Sequence, residues 1–73
     1  MDDIQITVPA GRPERRAQLR RLRALERDAQ RLYLIHLVLA VEQNPTRSGL
    51  LHWSNAVRAD SLLGPMYTEI YTS

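Results

Sequence analysis

The stretch from Pro13 to Gln43, PERRAQLRRLRALERDAQRLYLIHLVLAVEQ, decides the fold. It reads as a single long amphipathic helix whose character changes halfway. Pro13 suits the first helical position, where its missing N–H is not needed, and Glu14 follows it near the positive helix end. Leu22, Leu25, Ala29, Leu32, His36 and Leu39 step by three and four. At about 100° per residue they share one face, with Leu19 on its flank. Arg12, Arg16, Arg20, Arg23, Arg27 and Arg31 fall on the opposite side. From Leu32 to Val41 the chain is apolar nearly all round, because Leu34, Val38 and Val41 take the place the arginines held. A helix that is apolar on two sides must be enclosed on both. A hairpin partner covers one side, and a second copy packed on Leu34, Val38 and Val41 covers the other.

Outward from this stretch, Ile4-Gln5-Ile6-Thr7-Val8 alternates apolar and polar and is rich in β-branched residues, the pattern of a short strand. Pro9, Gly11 and Pro13 break the chain after it. On the other side Asn44-Pro45 stops the helix, since the residue before proline is pushed out of the α region. Thr46 or Ser48 serves as the next N-cap. A second helix is expected from Gly49 to Leu63, with Leu50, Trp53 and Val57 on one apolar face and Leu51 and Leu62 on another. Gly64-Pro65 reads as its stop. The tail from Met66, with Tyr67, Ile70 and Tyr71 among threonines, fits a strand, a further helical turn or an arm reaching a partner. The expected organisation is an extended segment over 1–12, an antiparallel hairpin of one long and one short helix over 13–63, and a tail over 64–73. The fold class is mainly α, assembled as a homodimer.

Composition supports self-association. A chain of 73 residues buries only about 60% of its unfolded surface, and chains of this size lean on disulfides, metals or oligomerisation. There is no cysteine, and the two histidines, His36 and His52, are too few for a closed zinc site without carboxylate help. His36 is expected to be buried and hydrogen-bonded in the seam, and Trp53 to anchor the core. The start Met1-Asp2-Asp3 lacks the basic character of a secretory signal, and the longest apolar run spans about ten residues, roughly half a membrane span. A cytoplasmic protein that does not enter the membrane is expected.

Ingredients for catalysis are missing: no cysteine nucleophile, no glycine-rich phosphate loop and no paired carboxylates at helical spacing. No enzyme activity, cofactor or metal is expected. The charge is more informative. All ten basic residues are arginine, a bias that a GC-rich genome produces on its own. The net charge is only +2, yet residues 12–31 carry eight arginines against Glu14, Glu26 and Asp28. Arg12/Arg16, Arg16/Arg20, Arg23/Arg27 and Arg27/Arg31 are like-charge neighbours four apart, each costing a few tenths of a kcal/mol. The arginine fork suits carboxylates or phosphates. Arg16, Arg20, Arg23, Arg27 and Arg31, together with Tyr67 and Tyr71 of the tail, are the candidate partner-binding residues.

Three functions fit this pattern. A strand followed by helices is similar to ribbon-helix-helix repressors, with Gln5 and Thr7 as the base readers. The long first helix and the acidic Asp2 and Asp3 count against that reading. The run Arg15-Arg16-Ala17-Gln18-Leu19-Arg20-Arg21-Leu22-Arg23-Ala24-Leu25-Glu26-Arg27, feeding into Tyr33 to Val41 and a short hairpin partner, resembles small helical host-takeover proteins of temperate phages, in particular the phage quorum-sensing anti-activator family. The resemblance covers residues 13–63. It implies a helical dimer in the host bacterial cytoplasm that inhibits a regulatory protein. In that family the target is the DNA-binding domain of a LuxR-type activator, and a type IV pilus extension ATPase can also be bound. The third reading is a structural dimer with no regulated target. The second reading is the expectation taken forward, with nucleic acid as the lesser alternative.

Overall fold

The computed structural model describes residues 6–72, and these contain four helices: α1, Arg12–Ala24; α2, Arg27–Gln43; α3, Leu50–Ala59; and α4, Leu63–Thr72. The mainly helical class expected from the sequence is present. The hairpin of one long and one short helix is not, because each expected helix is broken once by a polar side chain.

The first break comes at Leu25 and Glu26, both extended, with φ/ψ of −71/154° and −66/162°. Neither residue is a helix breaker. The cause lies further on, at Gln30, whose buried side-chain amide donates to the carbonyl of Leu22 at 2.9 Å and to that of Arg23 at 3.2 Å. In a continuous helix those two carbonyls would accept from the N–H groups of Glu26 and Arg27. Gln30 donates to both instead, joined at Leu22 by the N–H of Leu25 at 3.2 Å, so the backbone can turn while both acceptors stay paired. The turn is what keeps the molecule compact. A straight helix over Pro13–Gln43 would run about 46 Å at 1.5 Å per residue, whereas the molecule measures 29 × 28 × 25 Å.

The second break is at Asp60. Its carboxylate accepts from the N–H groups of Leu62 at 3.0 Å and Leu63 at 2.9 Å, and its carbonyl accepts from Gly64 N–H at 2.8 Å. Asp60 thereby ends α3 and starts α4, and Gly64-Pro65, expected as a stop, lies in the first turn of α4. Pro65 is tolerated there because that N–H has no intrahelical acceptor. Gly64 is required by close approach, since a Cβ would run into the Arg58 carbonyl oxygen. Between α2 and α3, Asn44 caps α2 where Asn44-Pro45 placed the stop. Gly49, with φ of +75°, opens α3 in place of the expected Thr46 or Ser48 cap.

The core forms from Ile6, Leu22, Leu34, Leu37, Val38, Leu50, Trp53, Val57, Leu63 and Tyr67. α2 packs against α3 and α4, α3 against α4, and α1 against α3. Trp53 Nε1 donates to the Tyr33 hydroxyl at 3.0 Å, and Ser54 Oγ and the Tyr67 hydroxyl share a bond of 2.5 Å. Among the described residues no buried side-chain polar atom lacks a partner.

Several expectations change. The strand was read over Ile4–Val8. Ile4 and Gln5 lie outside the described residues, and Ile6, Thr7 and Val8 take no strand pairing. Ile6 instead sits in the core, its carbonyl accepting from Arg47 at 3.0 Å. The tail is helix α4, with Tyr67 fully enclosed. Leu34 and Val38, expected to meet a second chain, are buried by this chain's own α3 and α4, and Val41 packs partly on the same core. Conversely Leu25, Leu32 and Leu39, expected in the core-facing seam, are 42%, 50% and 45% exposed, and His36 beside them is only half-buried. The break at Leu25 rotates α2 relative to α1, so residues in line on a continuous helix no longer share a neighbour.

Candidate functional site

Two surfaces stand out, one charged and one apolar. The charged one is built on α1, which carries Arg12, Arg15, Arg16, Arg20, Arg21 and Arg23 against Glu14 alone. Helical spacing puts Arg12, Arg16, Arg20 and Arg23 along one side. Arg16, Leu19, Arg20 and Arg23 line a shallow depression of about 210 Å³.

Arg23 is the fixed member of this group. Its guanidinium donates to the Asp60 carboxylate, which is fully enclosed while Arg23 stays half exposed. Burial alone would push the Asp60 carboxyl up. The hydrogen bond from Arg23 and the N–H groups of Leu63 and Leu62 outweigh it and hold the carboxyl below the usual carboxylate range. Among the described residues this is the one ion pair. Arg21 is engaged by Gln18, Arg47 by the Ile6 carbonyl, and Arg58 lies 5.8 and 5.2 Å from the ring centroids of Tyr67 and Tyr71. Arg16 and Arg20 have no hydrogen-bond or ion-pair partner among the described residues.

The seven candidate partner-binding residues therefore separate. Arg16, Arg20 and Arg23 come together. Arg27 and Arg31 are exposed but lie on α2, beyond the break, and do not line the depression. Tyr67 is not a contact residue at all, since its ring is in the core and burial pushes its hydroxyl pKa up. Tyr71 is about half exposed, packed edge-on against Tyr67 with ring centroids 6.4 Å apart.

The apolar surface is the outer face of α2. Leu32 and Leu39 stand two turns apart on it, with Ile35 and His36 half-buried between them and Leu25 exposed at the preceding corner. An apolar patch left open to water on a helix face is a candidate contact surface. Sequence reasoning found these leucines but assigned them to the core. It missed Asp60 and Gln30 as structural determinants. The signal for Asp60 was present, an N-cap residue just ahead of Leu62 and Leu63. For Gln30 there was none beyond a polar residue in an apolar window.

Among the described residues no group of three or more histidine, aspartate or glutamate side chains is placed to hold a metal ion, and no helix is long and apolar enough to cross a membrane. No protein-family model matches the chain, and neither a curated protein nor a solved structure matches it significantly.

Proposed function

We propose that this chain is a small protein-binding inhibitor that works as a homodimer, with the copies joined through α2 and the arginine-bearing α1 turned towards a target protein. The observation that carries the reading is the exposed leucine face of α2. Such a face is buried by a protein partner, here a second copy, and the choice of a protein target rests on the charge of α1 and on the resemblance.

A second copy suits the face by symmetry. Leu32 and Leu39 flank a midpoint between Ile35 and His36. An antiparallel copy lays Leu32 of one chain on Leu39 of the other, and the reverse contact follows from the same two-fold axis. The dimer seam is thus Leu25, Leu32 and Leu39, in place of the enclosed Leu34 and Val38. One helix pair is at the small end of specific interfaces, so the dimer is expected to exchange readily.

The target reading follows from the charge. Arg16 and Arg20 have no ion-pair partner among the described residues, so the complementary surface is acidic. The resemblance to phage anti-activators makes the DNA-binding domain of a LuxR-type activator the first target to try. The DNA-reading face of such a domain is itself basic and would repel α1, so docking is to another side. The ribbon-helix-helix alternative is the weaker one, because Ile6, which a strand would turn to a second chain, is taken up by this chain's own core.

Sedimentation over a micromolar concentration series tests the dimer. The wild type should show concentration-dependent mass, and Leu32→Asp with Leu39→Asp should be a folded monomer throughout. Wild type that stays monomeric would overturn it. Capture from a bacterial lysate, with and without nuclease, tests the target class: retention of one protein after nuclease supports the reading, and capture that nuclease abolishes sinks it.

A further inference from the structure

We infer that the depression on α1 is an anchoring site for one acidic side chain, glutamate or aspartate, of a partner polypeptide. The inference rests on the protein-binding reading and names the chemistry of the contact. The cavity, about 210 Å³, is below the roughly 300 Å³ where drug-sized ligand pockets begin. It has room for a side chain with accompanying water and not for a drug-sized molecule.

Three guanidinium groups and one apolar residue line it. Arg16 and Arg20 sit one turn apart with no partner among the described residues, so each bears the other's repulsion until an anion arrives. Arg23 is already held by Asp60, with one of its nitrogens engaged and further N–H donors left over. A guanidinium fixed in advance loses less freedom when it binds. With Asp60 counted, two positive charges remain uncompensated at the site, and a carboxylate can accept bidentate donation from the forks. Leu19 decides between a side chain and a free inorganic anion, because it offers an apolar wall to the methylene groups that glutamate carries and phosphate lacks.

The site also has an internal reporter. Asp60, which holds Arg23, accepts from the N–H groups of Leu62 and Leu63 at the start of α4. A carboxylate that draws on Arg23 alters the field at those two amides, on a different helix from the depression. General electrostatic attraction to an arginine-rich helix would not single them out.

The test is an amide NMR titration of the full chain with a blocked peptide of alternating glutamate and leucine, its glutamine counterpart, inorganic phosphate and a short DNA duplex. The glutamate peptide should give saturable shifts at Arg16, Leu19, Arg20 and Arg23 and at Leu62 and Leu63, and the glutamine peptide none. Arg16→Gln with Arg20→Gln should weaken the glutamate peptide at least tenfold while leaving the thermal midpoint in place. Shifts that never saturate and spread over Arg12, Arg15, Arg27 and Arg31 would overturn the site. So would phosphate or duplex moving the same amides at lower concentration than the peptide. Should the double variant keep its target from lysate while no peptide binds, the acidic anchor fails and the protein-binding reading survives. Wild type that captures no protein at all removes the reading itself.

Discussion

The two faces of α2 are almost equally apolar, yet they have opposite fates. Leu34, Leu37 and Val38 on the inner face are enclosed by α3 and α4, while Leu32 and Leu39 on the outer face stay open to water. Side-chain chemistry does not separate them, since leucine stands on both. What separates them is which face the corner at Leu25-Glu26 turns inwards. Apolar pattern reports how many sides of a helix want cover. It does not report which side the same chain will cover and which it will leave open to water.

The largest test of this difference is a matched pair of truncations. Leu34→Ala removes a fully buried side chain from a small core, and a loss of about 3 kcal/mol is expected in urea unfolding. Leu32→Ala, compared at a concentration where both proteins are monomeric, should cost well under 1 kcal/mol, because its side chain is already half in water. Equal losses at the two positions would mean that the outer face is also enclosed within one chain.

The inner face stays covered only while the α3–α4 corner holds, and that corner is fixed by Asp60. Its folded-state carboxyl lies below the unfolded value near 3.9. The stabilisation is therefore complete above about pH 5 and is lost as the pH falls through the unfolded value towards the folded one. Arg23→Ala removes a charged hydrogen bond to an enclosed carboxylate and is expected to lower the thermal midpoint at neutral pH. It should also shallow the acid limb of the pH–stability curve, read by thermal melts between about pH 3 and 7. An unchanged acid limb would show that the corner is held by the backbone N–H groups alone.

Much of the chain was legible before any geometry. The helical content of Pro13–Gln43, the stop at Asn44-Pro45, the apolar face Leu50, Trp53 and Val57, and the clustering of Arg16, Arg20 and Arg23 all follow from local rules. Position and spacing suffice for these, because each concerns residues within a few turns of one another. The two breaks were not legible. Leu25-Glu26 has no proline or glycine, and the stabilising partner of that corner is Gln30, whose usefulness depends on a backbone path already taken. Gly64-Pro65 carries the usual stop chemistry, yet Asp60 restarts a helix through it. The error at Leu25 then spread: one unrecognised corner moved Leu34 and Val38 from the expected dimer seam into the core. It moved Leu32 and Leu39 the other way. For the candidate surface, the arginine side of α1 was readable by angle, but the enclosure of Tyr67 depends on α4 returning to the core.

Gln30 offers the next test, because it selects which face turns inwards. Gln30→Ala leaves the carbonyls of Leu22 and Arg23 without their side-chain donor, and about 1–2 kcal/mol of stability should be lost. Amide exchange should quicken at Leu25, Glu26 and Arg27 before it quickens in α3. A loss that is uniform across the chain would mean that Gln30 contributes ordinary packing and not a corner.

The smallest effect, and the most diagnostic for the outer face, is expected from Leu39→Gln. The substitution keeps helix propensity nearly level, since leucine and glutamine rank close together. Its side chain stands in partial contact with water, so the unfolding free energy of a dilute sample should move by no more than about 0.5 kcal/mol. At higher concentration the two chains should diverge. Anything that binds the folded state alone raises apparent stability by mass action, so a wild-type dimer gains stability with concentration and the variant does not. Urea midpoints measured over a hundredfold range of concentration read that slope directly. A slope that Leu39→Gln leaves intact would place self-association elsewhere on the molecule, and the outer leucines of α2 would then belong to the target.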